Sequence, residues 1–147
     1  MVDPELVTRK MTLIAPDLDA LTRIARKGLE EYLASPTDEV LSERYLERII
    51  GRMIDINYHL ITELGSPPPR DYHASFTDLV PLGTLPAAFA ARIATCAGLR
   101  NRIVHEYDEL DPRQLHEALQ GAVRDIPEYL ALVNRFLEGP LRQPLAP

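Results

Sequence analysis

Cysteine is nearly missing from this sequence: Cys96 is the only one in 147 residues. One thiol forbids an internal disulfide and cannot build a zinc knuckle, so a reducing, cytoplasmic setting is expected, with no metal and no other cofactor. Apolar runs last only a few residues, which excludes a transmembrane helix and leaves no membrane partner to expect. The N-terminus lacks a charged-then-apolar segment with a small-residue cleavage site, so no secretory signal is read. Alternating apolar stretches bounded by hairpin turns are absent as well, which removes strands from the expected fold. Lysine is scarce: only Lys10 and Lys27 stand beside fourteen arginines. Against these gaps, hydrophobic residues make up 46% and charged residues 26%, an ordinary globular composition able to fill one core. The formal charge of -6 argues at first against a nucleic-acid partner.

Proline and glycine divide the chain into helical blocks. A first block from about Pro4 to Ala34 carries Ile14, Leu18, Leu21, Ala25, Leu29 and Tyr32 at steps of three and four, the helical period. Pro16 predicts a kink or a fresh start at Asp17. Ser35-Pro36-Thr37-Asp38 reads as a turn, with Thr37 or Asp38 capping the next helix. That helix, 39–64, carries Leu46, Ile50, Met53, Asn57, Leu60 and Leu64 on one face and stops at Gly65-Ser66-Pro67-Pro68-Pro69. A connector follows, with one or two helical turns expected between Ser75 and Leu82. A third long block is predicted from Leu85-Pro86 through Phe89, Ile93, Cys96 and Ala97 to Tyr107. Asp111-Pro112 then looks like a cap and first position, opening a helix with Leu115, Leu119, Val123, Ile126, Leu130, Val133 and Leu137, kinked at Pro127. The expected architecture is an all-α, antiparallel up-and-down bundle of four long helices plus a short connector helix. One domain would span 3–138, with a flexible tail at 139–147.

Chemistry concentrates in Leu99-Arg100-Asn101-Arg102-Ile103-Val104-His105-Glu106-Tyr107-Asp108. Arginine forks pair two phosphate oxygens, histidine exchanges a proton near neutral pH, and asparagine or tyrosine can orient a partner. The plainer alternative is a solvated helix end in which Arg102 and Glu106 form an ordinary pair. On an ideal helix Asn101, His105 and Asp108 fall within about 60°, whereas Arg100 and His105 are about 140° apart. One straight helix therefore cannot easily aim both at one phosphate: either it distorts, or a second copy completes the site. A second polar stripe, Arg48, Arg52, Asp55 and His59, steps by four, three and four along the second long helix. It is either a solvated face in which Arg52 and Asp55 are neighbours, or a set in which Asp55 reaches and orients Arg100 or His105.

Arg100, four residues, His105, one residue, Tyr107, with the polar Asn101 directly after the arginine, resembles the signature of the HEPN superfamily, most closely its HepT-like toxin branch. The similarity runs from about Pro4 to Leu137 and includes Ile54-Asp55-Ile56, the proline-bearing linker, and Phe76-Leu79 ahead of the third long helix. It implies a small helical protein that forms a homodimer and acts as a metal-independent endoribonuclease, opposed by a nucleotidyltransferase-like antitoxin. By that resemblance Arg100 would hold the scissile phosphate of an RNA and His105 would be general base or acid. Asn101 would orient His105, Asp55 would support the site, and Tyr107 would be the position the antitoxin modifies with AMP. Arg48, Arg52 and Arg102 flank the two stripes as expected RNA contacts, a local basic patch despite the global sign. The alternative within the same superfamily is a non-catalytic dimer that binds a nucleotide or a nucleotidyltransferase partner. Outside it stands a plain helical homodimer.

Overall fold

The fold is described for residues 1–139 by a computed structural model. Its helices are α1 (Pro4–Ala25), α2 (Leu29–Leu33), α3 (Pro36–Glu63), α4 (Tyr72–Thr77), α5 (Ala87–Ile93), α6 (Thr95–His105) and α7 (Pro112–Glu138), with a one-turn 3-10 helix at Tyr107–Glu109. No strand occurs among the described residues, and no helix there is long and apolar enough to cross a membrane. The expected tail lies outside the described residues beyond Gly139.

Three helices dominate, and each starts the same way. Asp3, Ser35 and Asp111 are the N-caps of α1, α3 and α7, and each is followed by proline at the first helical position. The side chain accepts an otherwise orphaned N–H, while proline has none to leave unpaired. For α3 this corrects the expected cap: Ser35, not Thr37 or Asp38, accepts the Asp38 N–H at 3.2 Å. At the other end, Gly65 takes φ 88°, and Ser66 N–H closes back on the Ile61 carbonyl at 3.1 Å. A left-handed residue followed by such a bond is how glycine terminates a helix.

The helix breaks fall differently from the sequence expectation, and no new helix starts at Asp17. Pro16 and Pro127 both sit inside uninterrupted helices. Both are exposed, so water can satisfy the carbonyl whose partner N–H each removes. The first block breaks instead after Ala25, where α7 takes up the loose carbonyls: Gln120 Nε2 donates to Ala25 O at 2.8 Å and His116 Nε2 to Lys27 O at 2.9 Å. Gly28, a poor helix former, occupies the gap. The third block, expected as one helix, divides at Ala94 into α5 and α6. Thr95 Oγ1 donates to Arg92 O at 2.7 Å there, a local bond that competes with the helical ladder. The connector helix begins at Tyr72, earlier than expected, because Asp71 caps it through the Ala74 N–H at 2.7 Å.

α1 and α3 run antiparallel, since Lys10, Asp17 and Lys27 pair in reverse order with Asp55, Arg48 and Asp38. The apolar faces read from the sequence meet in one core: Ile14, Leu21, Leu46, Ile50, Met53, Leu60, Phe76, Ile93, Leu115, Leu119, Ile126 and Val133 are all buried. Asn57, on the same face, is fully buried and belongs to a polar chain. Tyr129 Oη donates to Asn57 Oδ1 at 2.5 Å, Asn57 Nδ2 to Ser75 Oγ at 3.2 Å, and Ser75 Oγ to Tyr72 O at 2.6 Å. A buried polar group without a partner is costly, so this chain fixes the register of α7, α3 and α4 together.

Candidate functional site

The two polar stripes meet. Arg44, Arg48, Arg52 and Asp55 of α3, Tyr72 of α4 and Arg100 of α6 line one groove of about 340 Å³. Packing of α6 on α3 brings Arg100 against a segment more than forty residues away in sequence.

Inside this groove the arginines differ. Asp17 of α1, almost fully buried, places Oδ2 3.0 Å from Arg48 Nε and 3.0 Å from Arg52 Nη1. Arg52 also donates to Leu13 O at 3.3 Å. One carboxylate thus ties two guanidiniums to the wall and offsets part of their charge. Asp55 pairs with Lys10 Nζ at 3.2 Å. It shares the groove with Arg100 but forms no ion pair with it or with His105, so the expected direct reach is corrected: Lys10, across the α1–α3 seam, lies nearer. The neighbour pairing considered for Arg52 and Asp55 is likewise replaced by Asp17 and Lys10. His59, also on the stripe, accepts the Asp3 N–H on Nε2 at 2.9 Å and so serves the start of α1.

Arg100 is held another way. Its Cζ lies 5.2 Å from the centroid of the Tyr72 ring, in cation–π stacking range. Tyr58 packs edge-on to Tyr72 at 6.3 Å. Among the described residues Arg100 has no carboxylate partner, and its Nε is buried without a hydrogen bond. Its terminal N–H groups, unlike the enclosed Nε, are therefore open to something other than the protein.

Asn101 and His105 are exposed, and His105, the last residue of α6, does not line the Arg100 groove. After Glu106, Tyr107 opens the 3-10 turn. Arg102, two residues and about 200° from Arg100, faces the opposite side. It donates to Gln114 Oε1 at 3.0 Å, not to Glu106, and lines a separate groove of about 540 Å³ between α6 and α7 with Arg92, Arg124 and Asp125. Cys96 is buried beside that groove; burial, with Asp125 nearby, pushes its thiol up to about 12, which leaves it unreactive at neutral pH. Sequence reading missed Asp17, which braces the groove arginines, and Tyr72, which lines the groove along with the equally unforeseen Arg44. A carboxylate inside the apolar stripe of α1 was a visible sign of the first; nothing local marked the second.

The profile of the family described as Ribonuclease HepT-like matches residues 14–133. The chain belongs to the HepT-like ribonuclease family. The tRNA nuclease HepT of Aphanizomenon flos-aquae (strain 2012/KM1/D3) is 34% identical over 136 residues, 92% of each chain. In fold the chain is similar to a chain of a toxin–antitoxin crystal structure with AMP-PNP, with TM-score 0.81, 19% identity, and coverage of 89% of this chain and 98% of that one. It is also similar to the tri-AMPylated Shewanella oneidensis HEPN toxin in complex with its MNT antitoxin, with TM-score 0.78, 21% identity, and coverage of 90% and 99%. The HEPN resemblance and the all-α fold expected from the sequence are therefore borne out.

Proposed function

We propose that this HepT-like chain is a metal-independent endoribonuclease, the toxin of a pair whose antitoxin is nucleotidyltransferase-like, acting in the cytoplasm. The observation that carries the reading is Arg100, set in an arginine-lined groove and, among the described residues, stacked on Tyr72 rather than ion-paired. Such a fork suits a phosphate, which accepts two parallel N–H bonds. The likeness to a protein named as a tRNA nuclease supports RNA as the substrate class.

In this reading Arg100 holds and neutralises the scissile phosphate while His105 takes the proton of the ribose 2′-hydroxyl. The 2′-oxygen bonds to phosphorus, the bond to the 5′-oxygen breaks, and that oxygen leaves with a proton. The products are a cyclic phosphate and a 5′-hydroxyl, chemistry open only to RNA. Acid–base help of this kind gives about 10²–10⁴-fold, so alignment and charge at the phosphate contribute the remainder. Asn101, one turn before His105, would orient it. Arg48 and Arg52, held by Asp17, would line the path of the RNA backbone, and Asp55 with Lys10 would shape the charge at its rim. Arg102, on the opposite face, would meet RNA only beyond this groove. Tyr107 would be the acceptor of AMP from the antitoxin, a reading supported by the AMPylated state of the Shewanella relative.

Because Arg100 faces a groove that His105 does not line, a homodimer in which the second copy supplies His105 is part of the proposal. The test is incubation of the purified chain with a tRNA pool in EDTA. Cleavage is expected to persist in chelator and to fall by at least about 10²-fold in both Arg100→Ala and His105→Ala. Mixing the two inactive variants should restore part of the activity, since one of the two sites in a mixed dimer is then intact. Cleavage unaffected by either substitution would overturn the site. A wild-type chain that cuts no RNA but binds nucleotide or a transferase would favour the non-catalytic dimer.

A further inference from the structure

Tyr72 lies outside the HEPN signature, yet its ring carries the one arginine the proposed chemistry needs. The aromatic face attracts the guanidinium without occupying any of its N–H donors, whereas a carboxylate would compete with phosphate for them. The contrast lies within one groove: Arg48 and Arg52 are tied by Asp17, while Arg100 is stacked at 5.2 Å. Tyr72 is itself held in place. Asp71 caps its helix, and the Ser75 hydroxyl, at the end of the buried Tyr129–Asn57–Ser75 chain, donates to its carbonyl. Tyr58 backs the ring edge-on.

We infer that Tyr72 is a positioning residue for the ribonuclease reaction: its ring holds Arg100 in the groove with the terminal guanidinium N–H donors available to the scissile phosphate. The inference deepens the proposed function and rests on it for the consequence in catalysis. The stack itself does not depend on that reading.

Two measurements separate the questions. In nitrogen–proton spectra, the Arg100 Nε–H signal, identified by its disappearance in Arg100→Lys, should be displaced upfield by the ring and exchange slowly because Nε is buried. Tyr72→Phe should keep that signal, and Tyr72→Leu should return it to the cluster of exposed arginines. A wild-type signal already in that cluster would overturn the inference, whether or not the chain cleaves RNA. In steady-state cleavage of the tRNA pool, Tyr72→Leu should lower kcat by about 10²-fold with KM little changed, the size expected when a reacting contact is misplaced. Tyr72→Phe should retain the wild-type kcat. Equal loss in both variants would assign the role to the hydroxyl and overturn the inference. A raised KM at constant kcat would mean that the ring stacks on an RNA base, which also overturns it. Tyr72 is 39% exposed, so Tyr72→Leu is expected to fold. If it did not, the spectrum of the wild-type chain against Arg100→Lys would still decide whether the stack exists.

Discussion

Asp17 changes what the arginine stripe on α3 means. Read along the helix, Arg48 and Arg52 are two cations on a solvated face. In the folded chain they share one buried carboxylate oxygen, and among the described residues Arg100 is the groove arginine left without a carboxylate. Asp17→Ala should therefore destabilise the chain by about 1–3 kcal/mol, the size of charge-assisted hydrogen bonds lost at a partly buried site. The loss stays below that for a fully buried pair, because Arg48 and Arg52 retain 42% and 22% side-chain exposure and can turn to water. Thermal melting of the variant checks this, and an unchanged midpoint would mean that the shared contact contributes nothing. Arg100 was readable from its motif, since the residue type and its spacing to His105 are local facts. Asp17 and Tyr72 were not, because each acquires its role only from a residue 31 or 28 positions away.

The elements show why some breaks were foreseeable and others were not. The caps at Asp3, Ser35 and Asp111 rest on side chains within three residues of the N–H they serve, so the starts of α1 and α7 followed from short motifs. The end of α1 depends on His116 and Gln120 arriving from α7, and no local signal at Ala25 or Lys27 announces them. Asn57 is similar. It occupies an apolar position of the α3 stripe, and its reason for being polar lies in Tyr129 and Ser75. Replacing Asn57 by Leu keeps the volume close but removes one acceptor of the fully buried Tyr129 hydroxyl, which keeps the Met53 carbonyl at 3.1 Å. The expected cost is about 1 kcal/mol, that of a lost buried hydrogen bond whose donor keeps a second acceptor. A denaturant midpoint lowered with an unchanged slope would support it, and a midpoint at or above wild type would refute it.

Across the whole molecule, burial sets the response to alkali. Burial pushes the Cys96 thiol and the Tyr32 hydroxyl up to about 12, and the wholly buried Tyr129 hydroxyl well above its usual value. Their ordinary values are 9.0 for the thiol and 10.0 for the hydroxyls. All three are neutral in the fold while the unfolded chain ionises, so the unfolded state binds fewer protons above pH 9. Stability is therefore fully present below that pH and lost as pH rises toward 12, by roughly 1 kcal/mol per pH unit for each group once its unfolded form titrates. Melting from about pH 8 to about pH 11 should show a progressive fall, with a flatter first unit above pH 9 in Cys96→Ala. A flat profile in the wild type would contradict it. The net charge of -6 also gains a different meaning from its distribution. Acidic groups at Asp17, Asp55 and Glu47 are interleaved with the groove arginines, so the groove is selective in where it leaves a free cation rather than uniformly basic.

Helix class, the apolar faces and the family signature could all be read in one dimension. Each depends on periodicity or spacing over a few turns, where backbone geometry relates neighbours in sequence to neighbours in space. That neither Pro16 nor Pro127 ends its helix depends on which side of the helix meets water, and both face it. Packing alone settled which arginines are bound and which is available, that Arg102 turns away from Arg100, and that Tyr72 lies beneath the guanidinium. These outcomes turn on the register between α1, α3, α4 and α6. That register is set by the common burial of their apolar faces and by the Tyr129–Asn57–Ser75 chain, interactions between segments far apart in sequence that no single helix encodes.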